Sequence, residues 1–220
     1  IFEAQGSDAL RWYFMSSSIV RGGDSRISDQ SIDEVVRQII NPIWSAYSFF
    51  TLYANIDEYT AKPITSPTNT LDRYILAKTN ELISNVTSSM DSYDLPGATA
   101  EIKGFIDALN NWYIRRSRDR FWSPSKPKDD SDKQDAYDTL FTVLENLCRL
   151  SAPFLPMVTE EIFKGLTGQS SVHESDWPSL TEFTSDTDLV ESMDLIRDIV
   201  STTLRLREDA SLRVRLPLQK

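Results

Sequence analysis

The chain has 220 residues, 40% of them hydrophobic, and a formal net charge of −10. The apolar share excludes a disordered tail. The charge excludes indiscriminate nucleic-acid binding over the whole surface but not a local basic patch.

Cys148 is the single cysteine, so an intrachain disulfide and a cysteine metal cluster are both out of reach. Its apolar neighbours Leu147 and Leu150 point to a buried structural thiol in a reducing, cytoplasmic setting. No run approaches the roughly 18 apolar residues of a membrane span, and no signal-peptide pattern opens the chain. IFEAQGSDALRWYF at the start and RVRLPLQK at the end read as interrupted patterns, so the expectation is a piece of a longer protein.

In chain order, a short helix is expected from Ser7 as N-cap, with Asp8 in its first turn and Leu10 and Phe14 inward. IVRGGDSRIS then turns at Gly22 and Gly23. A long helix follows, capped by Ser28 or Ser31, with Ile32, Val35, Val36, Ile39, Ile40, Ile43, Tyr47 and Phe50 at helical spacing. Pro42 inside it predicts a kink near Ile39–Asn41. Residues 60–69 read as a polar linker.

A third helix carries Leu71, Ile75, Leu82, Val86 and Met90. A fourth starts near Leu95 and Pro96, where proline suits a first turn, and carries Ile102, Phe105, Ile106, Leu109 and Tyr113. Residues 123–133 form a second linker. A fifth helix holds Tyr137, Leu140, Phe141, Leu144 and Leu147, and Pro156 opens a sixth through Leu166. Residues 167–187 are polar and irregular, and a seventh helix covers about 188–208. Leu212, Val214 and Leu216 alternate with Arg213 and Arg215, which predicts a short strand. The fold class is all-α, a helix bundle, with a short β segment at the C-terminus.

Chemistry is sparse. His173 is the only histidine, and no residue set has metal-ligand spacing. No phosphate-cradling glycine loop or nucleophile elbow is present. No catalytic residue and no metal ligand is assigned, which leaves binding and support as the expected roles.

Two stripes suit RNA. On the fourth helix the core stripe through Tyr113 continues into Arg116 and Arg120. From Trp112 to Lys128 stand six basic residues, Arg115, Arg116, Arg118, Arg120, Lys126 and Lys128, against one acid, Asp119. Either these arginines pair with carboxylates, Asp119 with Arg115 or Arg116 among them, and brace the bundle, or they meet phosphates beside the Trp112 ring. On the second helix Arg37, Asn41, Trp44 and Ser48 lie away from the isoleucine face. That stripe either packs on another domain, or Trp44 stacks on a base while Asn41 and Ser48 read base edges and Arg37 holds phosphate. Arg205, Arg207, Arg213 and Arg215 admit the same choice between phosphate and pairing with Glu208 or Asp209.

GSDALRWYF (6–14), NPIWSAYSFFTLYANID (41–57), LDRYIL (71–76), NNWYIRRSRDRFW (110–122), LSAPFLPMVTEEIF (150–163) and SVHESDWP (171–178) occur in this order. The chain thereby resembles the isoleucyl branch of the class I aminoacyl-tRNA synthetases, from the segment after the KMSKS loop onward. Ser45 follows Trp44 where that family often carries Asn, and the HIGH and KMSKS signatures are absent. The resemblance implies a bundle of the class I synthetase anticodon-binding type. Residues 1–27 would form a junction to a catalytic domain of the same chain, 28–210 the bundle, and 211–220 the start of a C-terminal region. Taken with the two stripes, the expectation is that Arg37, Asn41, Trp44, Ser48, Trp112, Arg115, Arg116, Arg118 and Arg120 bind the tRNA anticodon stem-loop. The fragment itself would hold no cofactor, while ATP and Mg2+ are implied for the parent enzyme, a tRNA ligase. Valyl and leucyl relatives, and a helical protein-interaction module, stand as alternatives.

Overall fold

Ser28 begins the first long helix with a reciprocal capping box, its hydroxyl accepting from Ser31 N and its own N–H donating to Ser31 Oγ. This is the computed structural model of the chain, which describes residues 2–179 and 185–217. Contacts divide it into two units, residues 1–185 and 186–220.

In the first unit, α1 (Phe2–Gln5) and α2 (Ser7–Ser16) lead through a 3-10 turn (Ser18–Arg21) to α3 (Asp29–Val35). A π segment (Val36–Ile40) joins α3 to α4 (Asn41–Asp57) without a break. Pro42 has no N–H to give and its ring crowds the carbonyl four residues back. The expected irregularity therefore takes the form of a widened turn just before it. Next come α5 (Thr70–Asp91) and α6 (Leu95–Asp107), then a second π segment (Ala108–Ile114) that runs straight into α7 (Arg115–Trp122). After a 3-10 turn (Pro127–Asp129) follow α8 (Ser131–Ser151), α9 (Pro156–Thr167) and a 3-10 turn (Val172–Glu174). Asn69, Asp94 and Asp130 cap α5, α6 and α8 through their side chains.

Helix α8 is the centre. Every residue from Ala136 to Leu144 is buried, as expected of a helix wrapped on all sides. Cys148 is buried within it. The polar run 60–69 is no loose linker. Asp138 accepts from the Tyr59 hydroxyl and from Lys62 N, and Thr142 Oγ1 accepts from Ile64 N, so α8 straps the segment down.

Two local readings are corrected at α2. Gly6, at φ 81°, is the N-cap and Ser7 the first helical residue. The buried residues are Asp8, Ala9 and Trp12, while Leu10 and Phe14 are half-buried. The Asp8 carboxylate reaches across to accept from Met157 N at 3.0 Å and Val158 N at 2.8 Å, capping α9. Arg11 donates twice to the Pro153 carbonyl. Helix α2 is thus clamped to the α8–α9 corner.

The second unit is α10 (Thr187–Asp209), capped by Asp186, and the segment after it. The strand expected at 212–216 is not formed. Leu212 N donates to the Arg207 carbonyl, and the Arg207 guanidinium donates to the Leu216 carbonyl at 3.1 and 2.6 Å. The chain folds back on the helix end, and alternation without a neighbouring strand does not make a sheet. Arg207 is thereby occupied with Leu216 rather than with Glu208 or Asp209. Among the described residues no helix is long and apolar enough to cross a membrane.

Candidate nucleic-acid interface

The stripe on the first long helix faces outward as a set. Arg37, in the π segment, and Asn41, Trp44 and Ser48 on α4 are all exposed. Trp44 is 46% exposed. Its ring meets Tyr47 edge-on at 5.5 Å. Tyr47 is seated where α9 carries no side chain, since a Cβ on Gly165 would lie 2.0 Å from its hydroxyl. The close α4–α9 approach thus fixes the ring that supports Trp44.

The stripe on the helix that runs from α6 through the second π segment into α7 splits. Arg120 turns inward, and its Nη1 and Nη2 donate to the two oxygens of Asp72 at 2.7 and 2.6 Å. Its Nε donates to Asp132 Oδ2 at 2.8 Å. Asp72, fully buried, also accepts from the Tyr113 hydroxyl at 2.7 Å. Burial raises the Asp72 carboxyl above its ordinary value, against the opposing pull of Arg120 and Tyr113. Arg120 is therefore a brace between the N-terminal ends of α5 and α8.

Arg116, one turn earlier, is exposed and lies over the Trp112 ring, 3.7 Å from its centroid. Trp112 itself is only 8% exposed and its indole N–H has no partner. Arg115 and Arg118 are exposed, and among the described residues Asp119 pairs with neither Arg115 nor Arg116.

Between the α3–α4 run and the α6–α7 run lies a groove of ≈ 580 Å³. Its walls include Arg37, Gln38 and Ser45 on one side and Lys103, Asn110, Asn111 and Arg118 on the other. Both π segments border it, and such widened turns are frequent at functional sites. In the second of them Asn110 Nδ2 donates to the Ile106 carbonyl at 3.1 Å. Asn111 Nδ2 donates to Asp107 Oδ1. Arg37 and Arg118, from different stripes, thus line one groove, while Trp44 stands on the same helix as Arg37, beyond the groove's α4 wall.

Lys133 carries no signal in the sequence. It is 1% exposed, pairs with Asp57 at 2.6 Å, and donates to the carbonyls of Ser123 and Ser125. All three ammonium donors are used. Burial pushes the Asp57 carboxyl up, but the bonds from Lys133 and Tyr137 hold it below its ordinary value. Within the run DDSDKQD a lysine looks solvated; nothing local marks it as buried. Lys103, Asn110 and Asn111 are likewise unmarked, because only the packing of two helices brings them to one groove.

His173 caps a corner, its Nε2 lying 3.1 Å from the Pro156 carbonyl. Among the described residues no group of three His, Cys, Asp or Glu is placed to hold a metal ion.

The family model for the anticodon-binding domain of tRNA ligase matches residues 72–220. An isoleucine–tRNA ligase of Leifsonia xyli is 49% identical over 218 residues, covering 99% of this chain and 19% of that protein. One of Mycobacterium tuberculosis (strain H37Rv) is 46% identical over 221 residues, 100% of this chain and 20% of the relative. The chain thus spans about a fifth of these relatives' length. Among solved structures, LeuRS of Agrobacterium radiobacter K84, in a ternary complex with tRNA and LeuAMS, superposes with TM-score 0.61 at 19% identity, covering 86% of this chain and 21% of that one. The apo methionyl-tRNA synthetase of Mycobacterium tuberculosis gives 0.61 at 20% identity over 77% and 34%. At such identity these two speak to the fold alone.

Proposed function

The chain belongs to the anticodon-binding domain family of tRNA ligases, and on that premise we propose that it binds the anticodon stem-loop of isoleucine tRNA as part of an isoleucine–tRNA ligase. The observation that carries this reading is the groove between the two π-interrupted helices, with cations on both walls, while the exposed Trp44 stands on α4 outside its lining. Cationic walls track a phosphate backbone and an open aromatic ring stacks on an unpaired base. The isoleucine assignment is supported by the 46% and 49% identity to isoleucine–tRNA ligases.

In this reading Arg37, Arg115 and Arg118 hold phosphates, Asn41 and Ser48 meet base edges, and Trp44 stacks. Arg116 offers its guanidinium plane from the Trp112 ring beneath it. Trp112 and Arg120 serve from inside, Trp112 by supporting Arg116 and Arg120 by fixing α7. Residues 1–27 act as the junction to a catalytic domain, and 28–210 as the binding bundle. ATP and Mg2+ are assigned to that catalytic domain, since the sequence of this chain holds no phosphate loop. The intact ligase works in the cytoplasm.

The test is binding to an isoleucine anticodon stem-loop against a scrambled loop, at two salt concentrations. Tighter, salt-sensitive binding to the intact loop is expected. Equal binding to both loops removes the anticodon reading and leaves only a basic patch.

A further inference from the structure

Trp122, at the end of α7, lies outside the residues assigned above. We propose that it is a second stacking platform for an unpaired base of the same RNA; this rests on the RNA-binding reading. The ring is 54% exposed. Its one polar atom is already satisfied, because Nε1–H donates to the Tyr53 hydroxyl at 2.7 Å. What it shows to water is therefore apolar ring, whose burial against a base is favourable.

The ring is also held in place. Tyr53 packs on Phe49, Phe49 on the buried Phe121, and Phe121 on Tyr137, with centroids 5.0, 5.0 and 4.9 Å apart. A platform built on the core loses little freedom when a base settles on it. Trp112 makes the contrast. It is nearly buried and Arg116 already covers its ring.

Charge selects the partner. Arg118 and Arg115 precede Trp122 by four and seven residues, which places all three on one face of α7. Both arginines are exposed. Exposed Lys126 and Lys128 follow the helix but line a pocket with Asp57 and Glu58. Two exposed arginines on the ring's own helix face, in a chain of net charge −10, match a phosphate backbone with unstacked bases better than a protein face. Along α4, Trp44 and Tyr53 are nine residues apart, about 13 Å of helix. Nine residues at about 100° each also put Tyr53 half a turn from Trp44, so the ring that Tyr53 holds is a separate platform on another face of α4.

The experiment uses the full chain and an isoleucine anticodon stem-loop. Trp122→Ala is expected to weaken binding roughly 5- to 150-fold, with Trp122→Phe recovering most of it because the aromatic plane remains. Circular dichroism melts check that both variants fold. In parallel, the unsubstituted chain is photo-crosslinked to stem-loops carrying 4-thiouridine at successive loop positions, and a crosslinked peptide containing Trp122 is expected. If the unsubstituted chain does not bind the stem-loop, the RNA-binding reading and this inference fall together. If it binds, but Trp122→Ala binds equally and no crosslink reaches the α7 end, only this inference is overturned, and the ring belongs to a protein contact.

Discussion

The Arg120 guanidinium grips the buried Asp72 carboxylate with two near-parallel hydrogen bonds of 2.7 and 2.6 Å, and it reaches both Oδ2 and the backbone carbonyl of Asp132 as well. Removing one partner of such a pair strands the other charge in the interior. Arg120→Ala is therefore expected to cost about 3–5 kcal/mol, read as a lowered urea midpoint. The double variant Asp72→Leu, Arg120→Met replaces both charges by apolar groups and should recover a large part of that loss. A recovery near zero would mean that the Tyr113 hydroxyl and Asp132 depend on the pair more than its own charges do.

That pair also shows where the sequence was legible and where it was not. The 3.6-residue pattern marks the main helices because each one's buried face is written within about twenty residues. Ser28 and Pro42 mark a start and a distortion for reasons confined to the backbone beside them. The choice between brace and RNA contact for the arginines is different in kind. Arg116 and Arg120 sit one turn apart on one face, yet only Arg120 meets carboxylates, because α5 and α8 begin opposite it. Residues 48 and 12 positions away decide this, and no local pattern records them. The strand expected at 212–216 failed for the same reason: alternation is local, but a partner strand is not.

Gly165 gives a second stability prediction. A methyl group there would stand 2.0 Å from the Tyr47 hydroxyl and 2.9 Å from its Cζ. A shift of the ring would alter its edge-on contact with Trp44. Gly165→Ala is expected to destabilise by about 1–3 kcal/mol, as overpacking does. Tyr47→Phe on that background removes the worst overlap and should restore part of the loss, while the remaining ring contact keeps the rescue incomplete. Thermal melts of the four chains of this cycle decide it.

Asp8 predicts the strength of the α2 clamp. Its carboxylate accepts from two of the first N–H groups of α9. Asp8→Ala is expected to cost about 0.5–2 kcal/mol, the usual range for a lost helix cap. Hydrogen exchange should quicken at Met157 and Val158 before it does in α8. Uniform loss of protection across α8 would instead make Asp8 part of the global core.

Glu160 sets a pH dependence. Its carboxylate pairs with Lys164 at 2.7 Å and accepts from Val172 N at 2.8 Å and from Ser171 Oγ at 3.0 Å. The Lys164 ammonium first, with Val172 and Ser171 adding to it against desolvation, lowers its pKa from 4.5 to about 2. A carboxyl lowered on folding stabilises the folded state above its unfolded value and stops doing so as pH falls through the folded one. The 171–174 turn should thus stay docked on α9 above pH 4.5 and come loose progressively towards about pH 2. The amide shift of Val172, followed by NMR through that window, reads the change. In Glu160→Gln the transition should vanish, with the turn less protected at neutral pH.

The arginines of α7 separate on salt dependence. Each phosphate that a variant leaves unneutralised on a single-stranded segment should lower the slope of log K against log salt by about 0.7. Arg115→Ala and Arg118→Ala are exposed changes, so each is expected to lower the slope by about that amount while leaving the melting temperature nearly unchanged. Arg120→Ala, measured under conditions where the chain stays folded, is expected to do the reverse, with a large fall in melting temperature and an unaltered slope. Neighbouring arginines of one turn would then differ because carboxylates neutralise Arg120 inside the protein and leave Arg118 for the phosphate. A slope that drops for Arg120→Ala at full folding would place its guanidinium on RNA and break the division of labour that the Asp72 pair implies.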